Sequence, residues 1–232
     1  MSTRPPADPR RAVPIPATGY LWAEGLDEAH DVPPWVLVHG YGQDVPDLLA
    51  WSSGLLPAGT PIVAPEGPDA FYRRPRGEPG ASRRGVAHGW LAEPRRADAE
   101  RRNDALLGHA VDLALQGRSA AGAFLLGYSQ GVGVATHYAV VDRPRVAGLV
   151  GLAGGIPMLW RDQLGALADL PVLWVTGAND ESYPPAYEAL VVDALSVAGA
   201  RVTHVELDAG HDLLEAAVSH VRAWMAGLGG AG

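Results

Sequence analysis

Apolar residues in this chain gather into short dense runs, and the runs alternate with longer stretches of helical spacing. The sequence predicts strands over 18–25, 34–39, 60–65, 122–128, 146–153, 171–176 and 201–207. The run at 34–39 (Pro-Trp-Val-Leu-Val-His) is the plainest of the early ones. Between the later runs, Ala105, Leu106, His109, Ala110, Leu113 and Leu115 fall at helical spacing within 97–116, and Gly117 stops the pattern. Further helices are predicted over 131–141, 185–197 and 213–228. Strands alternating with helices imply a mostly parallel twisted sheet covered on both faces. The stretch 66–94 shows no periodicity and is read as a long irregular loop, a candidate cover for a site. The interval between Ala153 and Pro171 is too short to hold a cap domain. Residues 1–17 read as a flexible, Pro-rich lead-in, and 18–232 as one domain without internal repeats.

The seam between one of these strands and its helix changes the picture. The strand at 122–128 runs into Gly127-Tyr128-Ser129-Gln130-Gly131, and a helix-compatible stretch follows at once. A G-x-S-x-G at a strand-to-helix turn is a nucleophile elbow, in which a strained backbone lifts the serine hydroxyl clear of the sheet. Ser129 is therefore the candidate nucleophile. Serine is too weakly acidic to attack an ester unaided, so an imidazole must take its proton, and a buried carboxylate must orient that imidazole. In elbow enzymes these partners follow in the order Ser, Asp or Glu, His. Asp180 follows the strand 171–176, and His211 follows the strand 201–207. Both stand just past a strand's carboxyl end, where open α/β sheets collect their chemistry. Glu181 and Asp208 compete with Asp180, and His204 with His211. Glu181 is one residue off position, Asp208 reads as a turn residue before Gly210, and His204 lies on the strand itself.

A glycine-flanked loop, His39-Gly40-Tyr41-Gly42, follows the strand at 34–39. It can aim the Tyr41 N–H at a tetrahedral oxyanion, paired with the N–H of Gln130, the residue after the nucleophile. His39 is expected to pack and hydrogen-bond beneath that loop. Trp51, Trp90, Trp160 and Tyr183 are candidates to line an acyl pocket, with Trp90 and Tyr183 retained as the substrate-pocket pair. His88, His109, His137 and His220 read as surface or interface residues.

Composition then removes alternatives. The 232 residues are 47% hydrophobic and 19% charged, with a net charge of −8, which describes a globular protein and disfavours nucleic-acid binding. There is no cysteine, and all 18 basic residues are arginine. Thiolate metal sites, cysteine nucleophiles, Schiff-base lysines and the P-loop lysine are thereby excluded. No histidine spacing matches a metal motif, so no metal site is expected. No run of eighteen apolar residues is present, so no membrane span is expected. The amino-terminal arginines lack the apolar core of a signal peptide, and the lack of cysteine fits a cytoplasmic location. Arg73, Arg74, Arg76, Arg83 and Arg84 cluster in the irregular stretch, either as a solvated loop or as a steering patch for an anionic substrate.

Four blocks together resemble the phospholipase/carboxylesterase family of α/β-hydrolases, the group that includes acyl-protein thioesterases. They are Leu37-Val38-His39-Gly40-Tyr41-Gly42, Gly127-Tyr128-Ser129-Gln130-Gly131, Gly177-Ala178-Asn179-Asp180 through Pro184, and Gly210-His211. Gly154-Gly155-Ile156-Pro157 also resembles a small-residue turn of that family. The resemblance spans roughly residues 34–225 and implies a compact hydrolase acting on carboxylic ester or thioester bonds without a cofactor; the chain is read as a single-domain α/β-hydrolase for short to medium acyl chains. Its partner would be a small-molecule substrate, and a homodimer is one option for its assembly. Two departures stand near the expected acyl pocket. Gly85-Val86-Ala87-His88-Gly89-Trp90-Leu91 replaces the family's aromatic-acidic motif, and Ser182-Tyr183 stands where the family carries small apolar residues. The alternatives are a serine peptidase or lyase on the same scaffold, or a slow-turnover ligand receptor that retains the triad.

Overall fold

The computed structural model describes residues 18–26, 32–52, 54–72, 86–91 and 96–229. The predicted lead-in and the five arginines of the 73–84 cluster lie outside the described residues. In chain order the strands are β1 (Leu21–Glu24), β2 (Trp35–Val38), β3 (Ile62–Pro65), β4 (Asp69–Tyr72), β5 (Val86–Gly89), β6 (Ala123–Tyr128), β7 (Val146–Leu152), β8 (Pro171–Gly177) and β9 (Arg201–Leu207). The helices are α1 (Val45–Ser52), α2 (Arg96–Leu115), α3 (Gln130–Val141), α4 (Pro185–Val197) and α5 (Leu214–Gly229). A 3₁₀ segment, Met158–Leu167, fills the short interval before β8.

Seven strands form one sheet in the order β1-β3-β2-β6-β7-β8-β9. Only β1 runs antiparallel to its neighbour β3; the remaining pairs are parallel. The central strands are buried on both faces, which is why they read as unbroken apolar runs. Alternate residues supply two cores. Val36, Leu125, Leu149 and Trp174 pack against Leu107 and Val111 of α2, Ala135 of α3 and Val191 of α4. Leu37, Leu126, Val150 and Leu173 pack against Leu48 of α1 and Ala217 and Val221 of α5.

Two parts of this architecture differ from the sequence reading. The stretch 66–94 is not wholly irregular: β4 and β5 pair as a separate antiparallel sheet, with Phe71 opposite Ala87. Strands of four residues amid glycine and proline are too short to show a periodicity. Helix α1, eight residues long and starting three positions past Gly42, also has no counterpart in the sequence reading.

Candidate active site

Ser129, Asp180 and His211 each lie past the carboxyl end of a strand of the seven-stranded sheet. Ser129 follows β6 with φ 52° and ψ −121°, a left-handed conformation that costs a non-glycine residue on the order of 1–3 kcal/mol. Its surroundings over-determine it. The Ser129 N–H donates to the Leu152 carbonyl at 2.9 Å, and the Ser129 carbonyl accepts the Val132 N–H at 3.0 Å. The flanking glycines permit the close approach. A Cβ on Gly131 would stand 2.3 Å from the Val38 carbonyl oxygen, and one on Gly127 2.5 Å from the Gly131 carbonyl oxygen. The motif read in the sequence is thus a packing requirement between β2, β6 and α3.

The loops after β8 and β9 are tied together before they present their side chains. The Ala178 N–H donates to Leu207 and the Asn179 N–H to Ala209, at 2.8 and 2.9 Å. Asp180 is 3% exposed. Its Oδ1 accepts the N–H groups of Ser182 (2.7 Å) and Tyr183 (3.0 Å), and its Oδ2 lies 2.9 Å from His211 Nδ1. His211 Nε2 in turn lies 3.0 Å from Ser129 Oγ. A carboxylate only accepts, so His211 carries its proton on Nδ1, leaving Nε2 free to accept from the serine hydroxyl. The structure therefore brings together the three residues singled out in the sequence, while the competitors stand aside. Glu181 is exposed, Asp208 accepts from the Asn179 side chain at 3.0 Å, and His204 pairs with Thr176 at 2.9 Å.

Two tyrosines flank the imidazole, and sequence reasoning had not connected them with it. Tyr128 lies 5.5 Å from the His211 ring at 31°, and Tyr183 lies 5.8 Å from it at 22°. The Tyr128 hydroxyl also donates to the His211 carbonyl at 3.2 Å. Burial, with Asp212 and Asp180 nearby, pushes the Tyr128 phenol up to about 12, so it remains a donor. Burial likewise raises Tyr183, reinforced by Glu188 and partly offset by the nearby Ser129 side chain.

On the other side of Ser129, the loop after β2 is braced from below. His39 is fully buried, and burial holds its imidazole below the usual histidine range. Its Nε2 accepts the Gly67 N–H at 3.0 Å, so the proton sits on Nδ1 and is donated to the Gly40 carbonyl at 2.8 Å. His39 thus packs and hydrogen-bonds beneath the loop, as expected. Gln43 Oε1 accepts the Gly40 N–H at 2.8 Å, and the loop exchanges backbone hydrogen bonds with His88 of β5 (2.9 and 3.0 Å). Tyr41 stacks its exposed ring on Phe71 of β4, centroids 4.9 Å apart. Its N–H makes no hydrogen bond among the described residues. Gln130 opens α3, where an N–H has no partner within the helix.

The expected pocket pair divides. Tyr183 is half-buried beside Ser129 and His211. Trp90 is not a pocket residue: it is fully buried, its indole N–H donates to the His39 carbonyl at 2.9 Å, and its carbonyl accepts from Asn103 at 2.9 Å. A lone tryptophan in an aperiodic stretch gives no clue to which way it faces. Trp160 is also core, packed on His137. His88 and His137, read as surface or interface residues, are partly buried; His137 pairs with Asp104 at 2.9 Å and His88 with the Gly67 carbonyl at 2.7 Å.

Among the described residues no group of three His, Asp or Glu side chains could hold a metal ion, and no helix is long and apolar enough to cross a membrane. A cavity of about 510 Å³ opens elsewhere, between α5 and the starts of β8 and β9, and includes none of the triad.

No protein-family model matches the chain, and no curated protein sequence is similar enough to count as a relative. Solved structures do match. A carboxylesterase from Mesorhizobium loti superposes with a TM-score of 0.70 at 22% identity, covering 90% of this chain and 95% of that one. The Zea mays acyl-protein thioesterase 2 gives 0.70 at 16%, covering 90% and 99%. A Bacillus cereus carboxylesterase gives 0.63 at 18%, covering 90% and 95%. The sheet order, the strained elbow and these likenesses agree, and the chain has the α/β-hydrolase fold.

Proposed function

We propose that this protein is a serine hydrolase that cleaves carboxylic ester or thioester bonds of short to medium acyl chains. The observation that carries the reading is the continuous line from Asp180 Oδ2 to His211 Nδ1 and from His211 Nε2 to Ser129 Oγ, at 2.9 and 3.0 Å. In this reading Ser129 Oγ attacks the acyl carbon while His211 Nε2 takes its proton, and Asp180 steadies the imidazolium. The N–H groups of Tyr41 and Gln130 hold the oxyanion. His211 then gives the proton to the leaving atom, and the acyl-enzyme is hydrolysed by water that the same imidazole activates.

The half-buried Tyr183 contributes a wall of the substrate site, and the structural neighbours named as carboxylesterases and a thioesterase favour an acyl substrate. Turnover of p-nitrophenyl esters and matching thioesters of increasing acyl length tests the reading. Ser129→Ala should lower kcat on p-nitrophenyl butyrate by roughly 10⁴–10⁶. Wild-type turnover in that variant would remove Ser129 from the reaction.

A further inference from the structure

His211 is the group whose charge changes in the proposed reaction, and two aromatic rings lie along it. The Tyr183 ring is inclined 22° to the imidazole with centroids 5.8 Å apart, and the Tyr128 ring is inclined 31° at 5.5 Å. Rings this close to parallel turn their faces, not their edges, toward the imidazole. An aromatic face carries the negative part of the ring quadrupole, and its edge the positive part. A cation within about 6 Å of the centroid is attracted to such a face, more strongly where water is excluded. The His211 side chain is 32% exposed and the Asp180 side chain paired with it 1%, so water reaches this pair only in part.

Fixed neighbours hold the Tyr183 ring in that orientation. Its own N–H donates to Asp180 Oδ1 at 3.0 Å, and its ring lies 6.2 Å from that of Tyr187. Tyr187 is anchored in turn: its hydroxyl donates to the Ile156 carbonyl at 2.7 Å, and a Cβ on Gly155 would stand 2.4 Å from its Cε1. The loop that orients the base through Asp180 thus also lays a ring along that base.

We propose, resting on the serine-hydrolase reading, that Tyr183 is a positioning residue whose ring face steadies the His211 imidazolium during acylation. As Ser129 Oγ bonds the acyl carbon, its proton passes to His211 Nε2 and the imidazole becomes a cation. The same proton leaves with the departing oxygen, which takes the electron pair of the broken acyl bond. A neutral imidazole gains little from the ring quadrupole, so the attraction grows toward the transition state. It lowers the barrier and leaves substrate binding unchanged. Tyr183 exchanges no proton, and its ring alone is required.

The test is a series at position 183 that keeps the shape of the ring while draining its face of negative potential. It comprises Tyr183→Phe, the mono-, di- and trifluorinated phenylalanines at the same position, and Tyr183→Leu as the ringless control. Turnover of ethyl butyrate is divided by the sites that a fluorophosphonate titrates to completion, so misfolded protein does not enter. Tyr183→Phe should stay within about 2-fold of wild type, and kcat should then fall stepwise with each fluorine, by roughly 3- to 30-fold over the series, while KM holds. Tyr183→Leu should be as slow as the trifluorinated ring. A flat series, a loss confined to KM, or a Tyr183→Phe variant as slow as Tyr183→Leu would overturn the role of the ring and leave the triad standing. A wild-type protein inert toward both ethyl butyrate and p-nitrophenyl butyrate would overturn the hydrolase reading and this role with it.

Discussion

The Trp90 backbone N–H donates to Gln130 Oε1 at 2.9 Å, so the residue that opens α3 is clamped to the strand pair packed against the loop after β2. In the proposed mechanism this residue has two tasks: its backbone N–H holds the oxyanion, and its side chain ties the start of α3 to the residue after β5. Gln130→Met keeps the length of the side chain and removes the acceptor, leaving the Trp90 N–H unpaired at a cost of about 1–3 kcal/mol. Thermal unfolding should show that loss. The fall in kcat should be smaller than the roughly 10²–10³ expected when an oxyanion donor is removed outright. Gln130→Glu, which still accepts, should retain the stability. Equal melting temperatures for Met and Gln would show that the clamp holds nothing.

Asp180→Asn tests the tautomer. The amide can still accept from the Ser182 and Tyr183 N–H groups, so the loop should keep its shape. Facing His211, however, its NH₂ donates, which moves the imidazole proton to Nε2 and leaves Ser129 without an acceptor. A drop in kcat of about 10⁴ with little change in melting temperature is expected. A mild loss would mean that the carboxylate is not orienting the base.

A buried acid behind the site gives a pH prediction. Glu188 is 2% exposed, its Oε2 accepts the Trp174 indole N–H at 2.6 Å, and its Oε1 has no partner among the described residues. Burial raises its carboxyl from the ordinary 4.5 to about 7, with Asp180 adding to the shift and the Trp174 hydrogen bond opposing it. The folded protein therefore holds this proton more tightly than the unfolded chain does. The associated stability is fully present below pH 4.5 and is lost as pH rises toward 7. Glu188→Gln cannot ionise, so its melting temperature relative to wild type should climb between pH 5 and pH 8. A difference independent of pH would show that Glu188 does not titrate in this range.

Much of this arrangement was legible in the chain because it is written in local patterns. The elbow glycines, and the Asp180 and His211 positions past strand ends, follow from short-range sterics and from the alternation of strand and helix. What stayed hidden depends on tertiary register. Tyr128 and Tyr183 meet His211 only because β6, β8 and β9 bring three distant loops to one edge, and nothing in their own segments announces it. Trp90 was misplaced for the same reason: its partners, His39, Asn103 and Gln130, come from three other parts of the chain. The strands β4 and β5 escaped notice because each pairs only with the other, over four residues.

The proposed reaction turns on one bond-forming atom, Ser129 Oγ. Incubation with a fluorophosphonate, followed by proteolysis and mass mapping, identifies the side chain that carries activated nucleophilicity. A single adduct on Ser129, formed rapidly by the wild type and at least about 100-fold more slowly by His211→Ala, is the predicted result. An adduct at another residue, or labelling of Ser129 at the same rate without His211, would contradict it.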